Sequence, residues 1–357
     1  MLYQTKYQHG GDIYTEPIRF DFSVNTNPFG TPPSVLAAIK NSLSDISHYP
    51  DPYCHEAVQA ISTYEHVDAD SILLGNGAAE LIYSFCEAAH PRSALLLSPT
   101  FSEYEAALKR HDCKIIHHTL LRQKGFLPDE LLVFSIRENH PDAVFLCNPN
   151  NPTGRLMEKE LLKEILNLCE QENIRLFLDE CFLDFTDRSS EMKEFISEYQ
   201  NLFILKAFTK SHALAGVRIG YCLSSDQELL AAMAQTAQPW NVSVIAQTAA
   251  AAAAKEEDFL NITREFLEGE RKWLIGQLVD SGFLVIPSDC NFILFKGPVG
   301  LDLLLRKERI AIRNCDNFHG LSAGWYRIAV LKHENNEILI QTLHDVLNKE
   351  DLWQKTS

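Results

Sequence analysis

Arg175-Leu-Phe-Leu-Asp179-Glu180, then Leu202-Phe-Ile-Leu-Lys-Ala-Phe-Thr209-Lys210, then Gly216-Val-Arg218-Ile-Gly220-Tyr221 follow one another in the middle of the chain. In the first two, an apolar run rich in Leu and Phe ends in polar groups; in the third, polar groups lead into such a run. A run that is apolar almost throughout and too short for a helix reads as a strand covered on both faces, so its polar neighbours emerge at strand ends. Working outward, similar runs occupy residues 71–75, 94–98, 114–120 and 143–148, and 219–223 completes the series. Helix-like stretches at 78–89, 101–110 and 158–172 lie between them. This alternation predicts an α/β domain on a mostly parallel sheet.

After the helix-favouring alanine tract at 249–254 the pattern changes. A charged amphipathic segment at 258–281 precedes short apolar runs at 283–287, 291–296, 310–313 and 326–330, and a final helix is predicted around 335–348. Strands gathered with flanking helices predict a smaller α+β domain. A length of 357 residues exceeds what one core usually supports, so two domains are expected. The division expected is an N-terminal arm over 1–34, a large α/β domain over 35–256 and a small domain over 257–357. The arm is rich in Asn, Pro and Gly and reads as an extended segment lying over a neighbouring surface.

A formal charge of −16 argues against a nucleic-acid or anionic-membrane partner, because phosphate backbones reward the opposite sign. Small anionic substrates remain possible, since they respond to the local field of a pocket. Nine cysteines are scattered without a CxxC pair, which suits buried thiols in a reducing compartment and predicts neither a disulfide framework nor a metal site. Met1–Lys6 carries no signal-peptide apolar core, and no apolar stretch reaches the length of a membrane span, so a cytoplasmic protein is expected.

Four segments carry chemistry. To the three quoted above is added Asn148-Pro-Asn-Asn151-Pro-Thr-Gly154, which follows another apolar run. A lysine, a carboxylate, an amide and an arginine gathered at strand ends match the needs of pyridoxal phosphate. The lysine amine can attack its aldehyde, the carboxylate can keep the pyridine nitrogen protonated, and the arginine can pair with the phosphate. Gly75-Asn-Gly77-Ala-Ala-Glu80 follows a strand and opens a helix, so its N–H groups offer a phosphate site. It lacks the third glycine of a dinucleotide fingerprint. Each segment taken alone has a plainer reading: a solvated acidic turn at Asp179, a surface lysine at Lys210, a glycine turn at Gly77. Together, in this order, the cofactor reading prevails.

With these motifs the chain resembles the fold-type I pyridoxal-phosphate enzymes, the aspartate aminotransferase superfamily (aminotransferase classes I and II), from about residue 9 to residue 337. The resemblance implies Lys210 as the lysine that binds the cofactor and Asp179 as its pyridinium partner. Asn151 would meet the ring hydroxyl, and Tyr104 would stack on the ring face. Thr209, Arg218 and the Gly77-Ala78-Ala79 backbone would hold the phosphate. Tyr49 would reach the phosphate of a neighbouring subunit, which implies a homodimer. Two departures from the aminotransferase pattern stand out: Phe182 replaces a tyrosine that bonds the cofactor's ring oxygen, and Ala207 replaces a Ser or Thr phosphate ligand.

Within that superfamily the chain also resembles the cobalamin-pathway threonine-phosphate decarboxylases. His9-Gly-Gly11, Asp21-Phe-Ser-Val-Asn25-Thr-Asn27-Pro-Phe-Gly30, Asp179-Glu-Cys-Phe-Leu-Asp184-Phe185, and Ile312-Arg313-Asn-Cys315-Asp-Asn317 with Tyr326-Arg327 carry this likeness. Leu331 and Lys332 occupy a stretch where that branch often has a further arginine. The resemblance implies decarboxylation of O-phospho-L-threonine to (R)-1-aminopropan-2-ol phosphate, with O-phospho-L-serine as a close competitor. A small phosphorylated amino acid would then be held by His9, Asn25, Arg313 and Arg327, because two planar guanidinium forks suit two oxyanions. Without the resemblance, His9 reads as a frayed terminus and the two arginines as structural ion pairs. Two rivals remain: a histidinol-phosphate-type aminotransferase, and a regulatory module that binds the cofactor without turning it over.

Overall fold

The computed structural model describes residues 9–349. The reading of Met1–Lys6, and the outermost residues of the expected 1–34 and 257–357 segments, lie outside the described residues. Strand β1 (Phe20–Asp21) belongs to the arm. Then come β2 (Ile72–Gly75), β3 (Ser93–Ser98), β4 (Lys114–Thr119), β5 (Ala143–Cys147), β6 (Arg175–Asp179), β7 (Leu202–Lys206) and β8 (Gly220–Leu223). These seven form one sheet in the order β2-β8-β7-β6-β5-β3-β4, parallel except for β8, which runs against both neighbours.

The apolar runs become central strands because helices cover both faces: β5 and β7 are buried along their whole length. Alternation divides their side chains between two cores. Leu176 and Leu178 enter one, with Leu95, Val144 and Ile204, while Phe177 enters the other, with Phe145 and Phe203. Those three phenylalanines are paired across β5, β6 and β7 and stack at 4.7 and 5.0 Å between ring centroids. Asp179, two residues beyond Phe177, points to the same face, so the strand period aims the carboxylate.

The smaller domain is a four-stranded sheet in the order β12-β13-β10-β9, from β9 (Leu284–Val285), β10 (Phe292–Lys296), β12 (Arg313–Asn314) and β13 (Trp325–Ala329). The run at 310–313 does not form one strand. Its first half, β11 (Ile310–Ala311), pairs in parallel with β1, and only Arg313 continues into the small sheet. The arm is therefore pinned by a strand pair to this part of the molecule, and Phe22 is fully buried in its core. The 24-residue helix Glu257–Asp280 sends Leu267, Leu274 and Leu278 into the same core. Among the described residues no helix is long and apolar enough to cross a membrane.

Candidate active site

The parallel strands β3, β5, β6 and β7 end at one edge of the sheet, the edge where open α/β sheets bind ligands. Antiparallel β8 begins at that same edge, which is why Arg218, just ahead of it, joins residues that follow the other strands. A cavity of about 470 Å³ opens there, between the large sheet, the arm and the small domain. It is lined by Ala78, Ala79, Tyr104, Asn151, Asp179, Thr209, Lys210 and Arg218, and also by His9, Asn25, Arg313 and Arg327. Of the residues singled out from sequence, only Gly77 and Tyr49 lie off its wall. A larger hollow of about 710 Å³ sits at the opposite, amino-terminal edge, where Arg92 and Arg175 are already paired with Asp142 and Asp226.

One end of the cavity is built for a phosphate. Gly77 caps the helix Ala78–Ala89 without any side-chain hydrogen bond, so the first-turn N–H groups carry no intrahelical or side-chain cap. Its φ of +83° suits glycine, and a Cβ there would lie 2.5 Å from Arg218 Nη2. The guanidinium thus fills the space that a side chain would take. Arg218 also donates to Ala215 O at 3.2 Å, and Thr209 Oγ1 donates to Ile219 O at 3.2 Å. Ala207 lines the cavity with a methyl group and adds no donor.

At the other end lies Asp179, buried, with Oδ1 accepting the Cys181 N–H at 2.9 Å and Oδ2 accepting the Tyr104 hydroxyl at 2.6 Å. Burial raises its carboxyl above the usual range, against the pull of those two bonds and of Lys210. A cation beside it would reverse that shift, as a protonated ring nitrogen would. Tyr104 lines the cavity, its ring packing on Phe145 and Phe177 and its hydroxyl donating to Asp179. Burial, followed by Arg327, lowers the Lys210 amine to about 8, with Arg218 adding to the effect. A lysine so adjusted is about a tenth neutral at pH 7, far more than an ordinary lysine, and can act as a nucleophile.

The cradle at Gly77, the carboxylate at Asp179 and the amine at Lys210 fit pyridoxal phosphate in charge and in kind. Asn151 Oδ1 accepts from Arg327 Nη1 at 2.5 Å, so its NH2 is the group it can offer to a ring oxygen. Phe182 lines the cavity and packs edge-on against Phe292 at 5.0 Å, presenting no hydroxyl.

The remaining wall is cationic. Arg313 and Arg327 face each other in register on β12 and β13. Arg313 donates to Asn317 Oδ1 at 2.8 Å and lies over the Phe318 ring, and Arg327 donates to Ser23 O at 2.8 Å and lies over Phe292. Burial lowers both guanidinium groups, Arg327 to about 10. Arg327 Nε and Asn25 Oδ1 are buried without hydrogen-bond partners. His9 stands at the rim, half exposed, 3.0 Å from Glu103. Sequence reasoning passed over Glu103, although it immediately precedes Tyr104, and over Ser23, whose role depends on contacts far apart in the chain. Tyr49 is 77% exposed and stacks on Trp240 at 4.4 Å, outside its own chain's cavity.

Residues 17–343 match the family described as aminotransferase class I and II. The threonine-phosphate decarboxylase of Salmonella typhimurium is 33% identical over 331 residues, covering 92% of this chain and 91% of that protein. The chloroplastic histidinol-phosphate aminotransferase of Nicotiana tabacum is 32% identical over 326 residues, covering 89% of this chain and 77% of that one. Among solved structures, the histidinol-phosphate aminotransferase from Clostridium acetobutylicum superposes with a TM-score of 0.86 at 32% identity, over 93% of this chain and 100% of that chain.

Proposed function

The chain belongs to the aminotransferase class I and II family, and from that premise we propose that it is a pyridoxal-phosphate-dependent decarboxylase of a small phosphorylated amino acid, O-phospho-L-threonine. The observation that carries this reading is the facing pair Arg313 and Arg327 on the cavity wall, two guanidinium forks for a substrate with two oxyanions. The likeness to the Salmonella decarboxylase supports the same choice.

Pyridoxal phosphate, when bound, supplies the electron sink for the bond broken at the amino acid's Cα. The chain's own residues choose that bond and manage the protons. Lys210 is the residue we assign to cofactor attachment, and its lowered pKa keeps part of the amine neutral for that purpose. Asp179 keeps a negative charge at the ring-nitrogen end. Arg327 is our choice for gripping the substrate carboxylate, with Arg313, His9 and Asn25 on its phosphate. With the cofactor bound, Arg327 would hold the substrate carboxylate in the orientation from which it leaves as CO2, and Lys210 Nζ or water would supply the one proton that Cα then needs. Phe182 favours this outcome over amino transfer, since it offers no hydroxyl where transaminases place one. We assign Tyr49 to the phosphate site of a second copy, which makes the working form a homodimer.

The test is to incubate the cofactor-loaded protein with O-phospho-L-threonine, without any 2-oxo acid, and to measure CO2 together with product mass. Stoichiometric CO2 and aminopropanol phosphate are expected. Amino transfer that depends on 2-oxoglutarate, with no CO2, would instead favour a histidinol-phosphate-type aminotransferase, the reading supported by the 32% identity to the Nicotiana and Clostridium proteins.

A further inference from the structure

We propose that Glu103 is a positioning residue that latches the N-terminal arm across the cavity mouth by holding the His9 imidazole. The inference rests on reading the cavity as a site for a phosphorylated amino acid. His9 stands at the rim of the cavity, half exposed, with its ring against Phe101. Two clamps hold it. In the first, Gly10 lies so close to Ser23 that a Cβ would stand 2.3 Å from the Ser23 carbonyl oxygen, and the Gly11 N–H donates to Ser23 Oγ at 2.8 Å. Ser23 is itself fixed, its N–H bonding Asp21 at 2.9 Å and its carbonyl accepting from Arg327. That clamp holds the arm's backbone from one side only and leaves the imidazole undirected.

Glu103 supplies the second clamp. Its Oε1 lies 3.0 Å from His9 Nε2, and its Oε2 accepts the Tyr83 hydroxyl at 2.7 Å, with the Arg110 guanidinium 4.2 Å from the Tyr83 ring centroid. The carboxylate is thus held from both sides. A negative group on the wall of a cavity suited to anions repels its ligand, so its presence needs a return. The return is the imidazole: when both ring nitrogens carry protons, Nε2–H donates to Glu103 and Nδ1–H is left for an anion. The hydrogen bond from His9 also holds the Glu103 carboxyl below its usual range, so the latch stays ionised at neutral pH. Glu103 adjoins Tyr104, the partner of Asp179, so arm and cofactor end are tied to one short helix, Ser102–Leu108.

The experiment compares wild type, Glu103→Gln, His9→Gln and the double variant, all loaded with pyridoxal phosphate so that the cofactor's own phosphate subsite is filled. Amide hydrogen exchange over residues 9–15 is followed with and without inorganic phosphate, and KM and kcat are measured with O-phospho-L-threonine. In Glu103→Gln the Gly10 and Gly11 amides should exchange about tenfold faster, and KM should rise about tenfold with kcat within about twofold, the size of one charge-assisted hydrogen bond. His9→Gln should give the same change in KM, and the double variant no more than either. Glu105→Gln, on the same helix but directed at Lys109 and His117, should change neither readout. Wild-type exchange and KM in Glu103→Gln, additive effects in the double variant, or a loss confined to kcat would each overturn the proposal. If wild type does not turn over O-phospho-L-threonine, the functional reading fails by itself, and exchange with inorganic phosphate still decides the latch.

Discussion

Arg313 and Arg327 stand directly opposite each other across strands β12 and β13, and both reach the same cavity. Like charges so placed are destabilising, and burying them adds a desolvation cost. Amide and carbonyl partners and two phenylalanine faces offset part of that cost, but Arg327 Nε remains without a hydrogen-bond partner. An oxyanion bound between them would relieve both penalties. Inorganic phosphate should therefore raise the melting temperature of the cofactor-loaded protein by several degrees, since ligand at a hundred times its Kd contributes about 2.7 kcal/mol. Arg313→Gln or Arg327→Gln should flatten that response in a thermal-shift titration and lower kcat/KM by about 30- to 1,000-fold.

The Lys210 amine gives a pH dependence of known sign. Burial and two neighbouring cations bring it to about 8, so only about a tenth is neutral at pH 7. Attack on an aldehyde needs the neutral amine. Capture of pyridoxal phosphate by the cofactor-free chain should therefore quicken as pH rises through about 8 and level off above it. Removing a cation with Arg327→Gln should move that midpoint upward. Stopped-flow absorbance from about pH 6 to about pH 10, with Lys210→Ala as the blank, reads both effects; a midpoint unchanged in Arg327→Gln would show that the charge is not felt.

Gly77 is the glycine on which cofactor affinity should depend. Both its φ of +83° and the Arg218 nitrogen 2.5 Å from the position of an added Cβ exclude a side chain. Gly77→Ala must strain the backbone or push the guanidinium aside, at a cost of about 1–3 kcal/mol. The dissociation constant for pyridoxal phosphate should rise by about 10- to 100-fold, as followed by equilibrium absorbance titration. Unchanged affinity would mean that the phosphate does not rest on this helix end.

The large sheet was legible in the sequence because its strands are apolar on both faces, and the run 175–179 ending in Asp179 needed no distant information to be read. Lys210 and Arg218 were legible for the same reason, as polar groups at strand ends. The direction of β8 was not, since nothing local to Gly220–Leu223 distinguishes an antiparallel strand from a parallel one. The arm stood out by its Asn, Pro and Gly content, but the partner of its strand, Ile310–Ala311, lies almost at the other end of the chain. Arg313 and Arg327 could be singled out individually, whereas their opposition depends on a register fixed only when β12 and β13 pair. The contacts Tyr104–Asp179 and His9–Glu103 escaped for a similar reason: each joins segments that only tertiary packing brings together.

The residue after Asp179 predicts a pH-dependent stability. Glu180 is buried, its Oε2 has no hydrogen-bond partner, and burial pushes its carboxyl up to about 7 despite Lys206 Nζ at 3.8 Å. Lys206 is closer to Glu65, 3.1 Å from Oε1, which also accepts the Tyr221 hydroxyl at 2.5 Å, while Lys193 lies 2.9 Å from Oε2; Glu65 accordingly goes the other way, below its usual range. For Glu180 the folded chain binds its proton more tightly than the unfolded chain does. Stability should therefore fall as pH rises from the unfolded value, about 4.3, through about 7, and be flat above that. Glu65 contributes in the opposite sense: its stabilisation is complete above the unfolded value and is lost only as pH falls well below it. Urea unfolding midpoints between about pH 5 and about pH 8 separate the two, because Glu180→Gln should remove the slope in that window, while Glu65→Gln should lower stability across it by about 3–5 kcal/mol by leaving Lys206 short of a partner. A slope that survives in Glu180→Gln would assign the titration to another group.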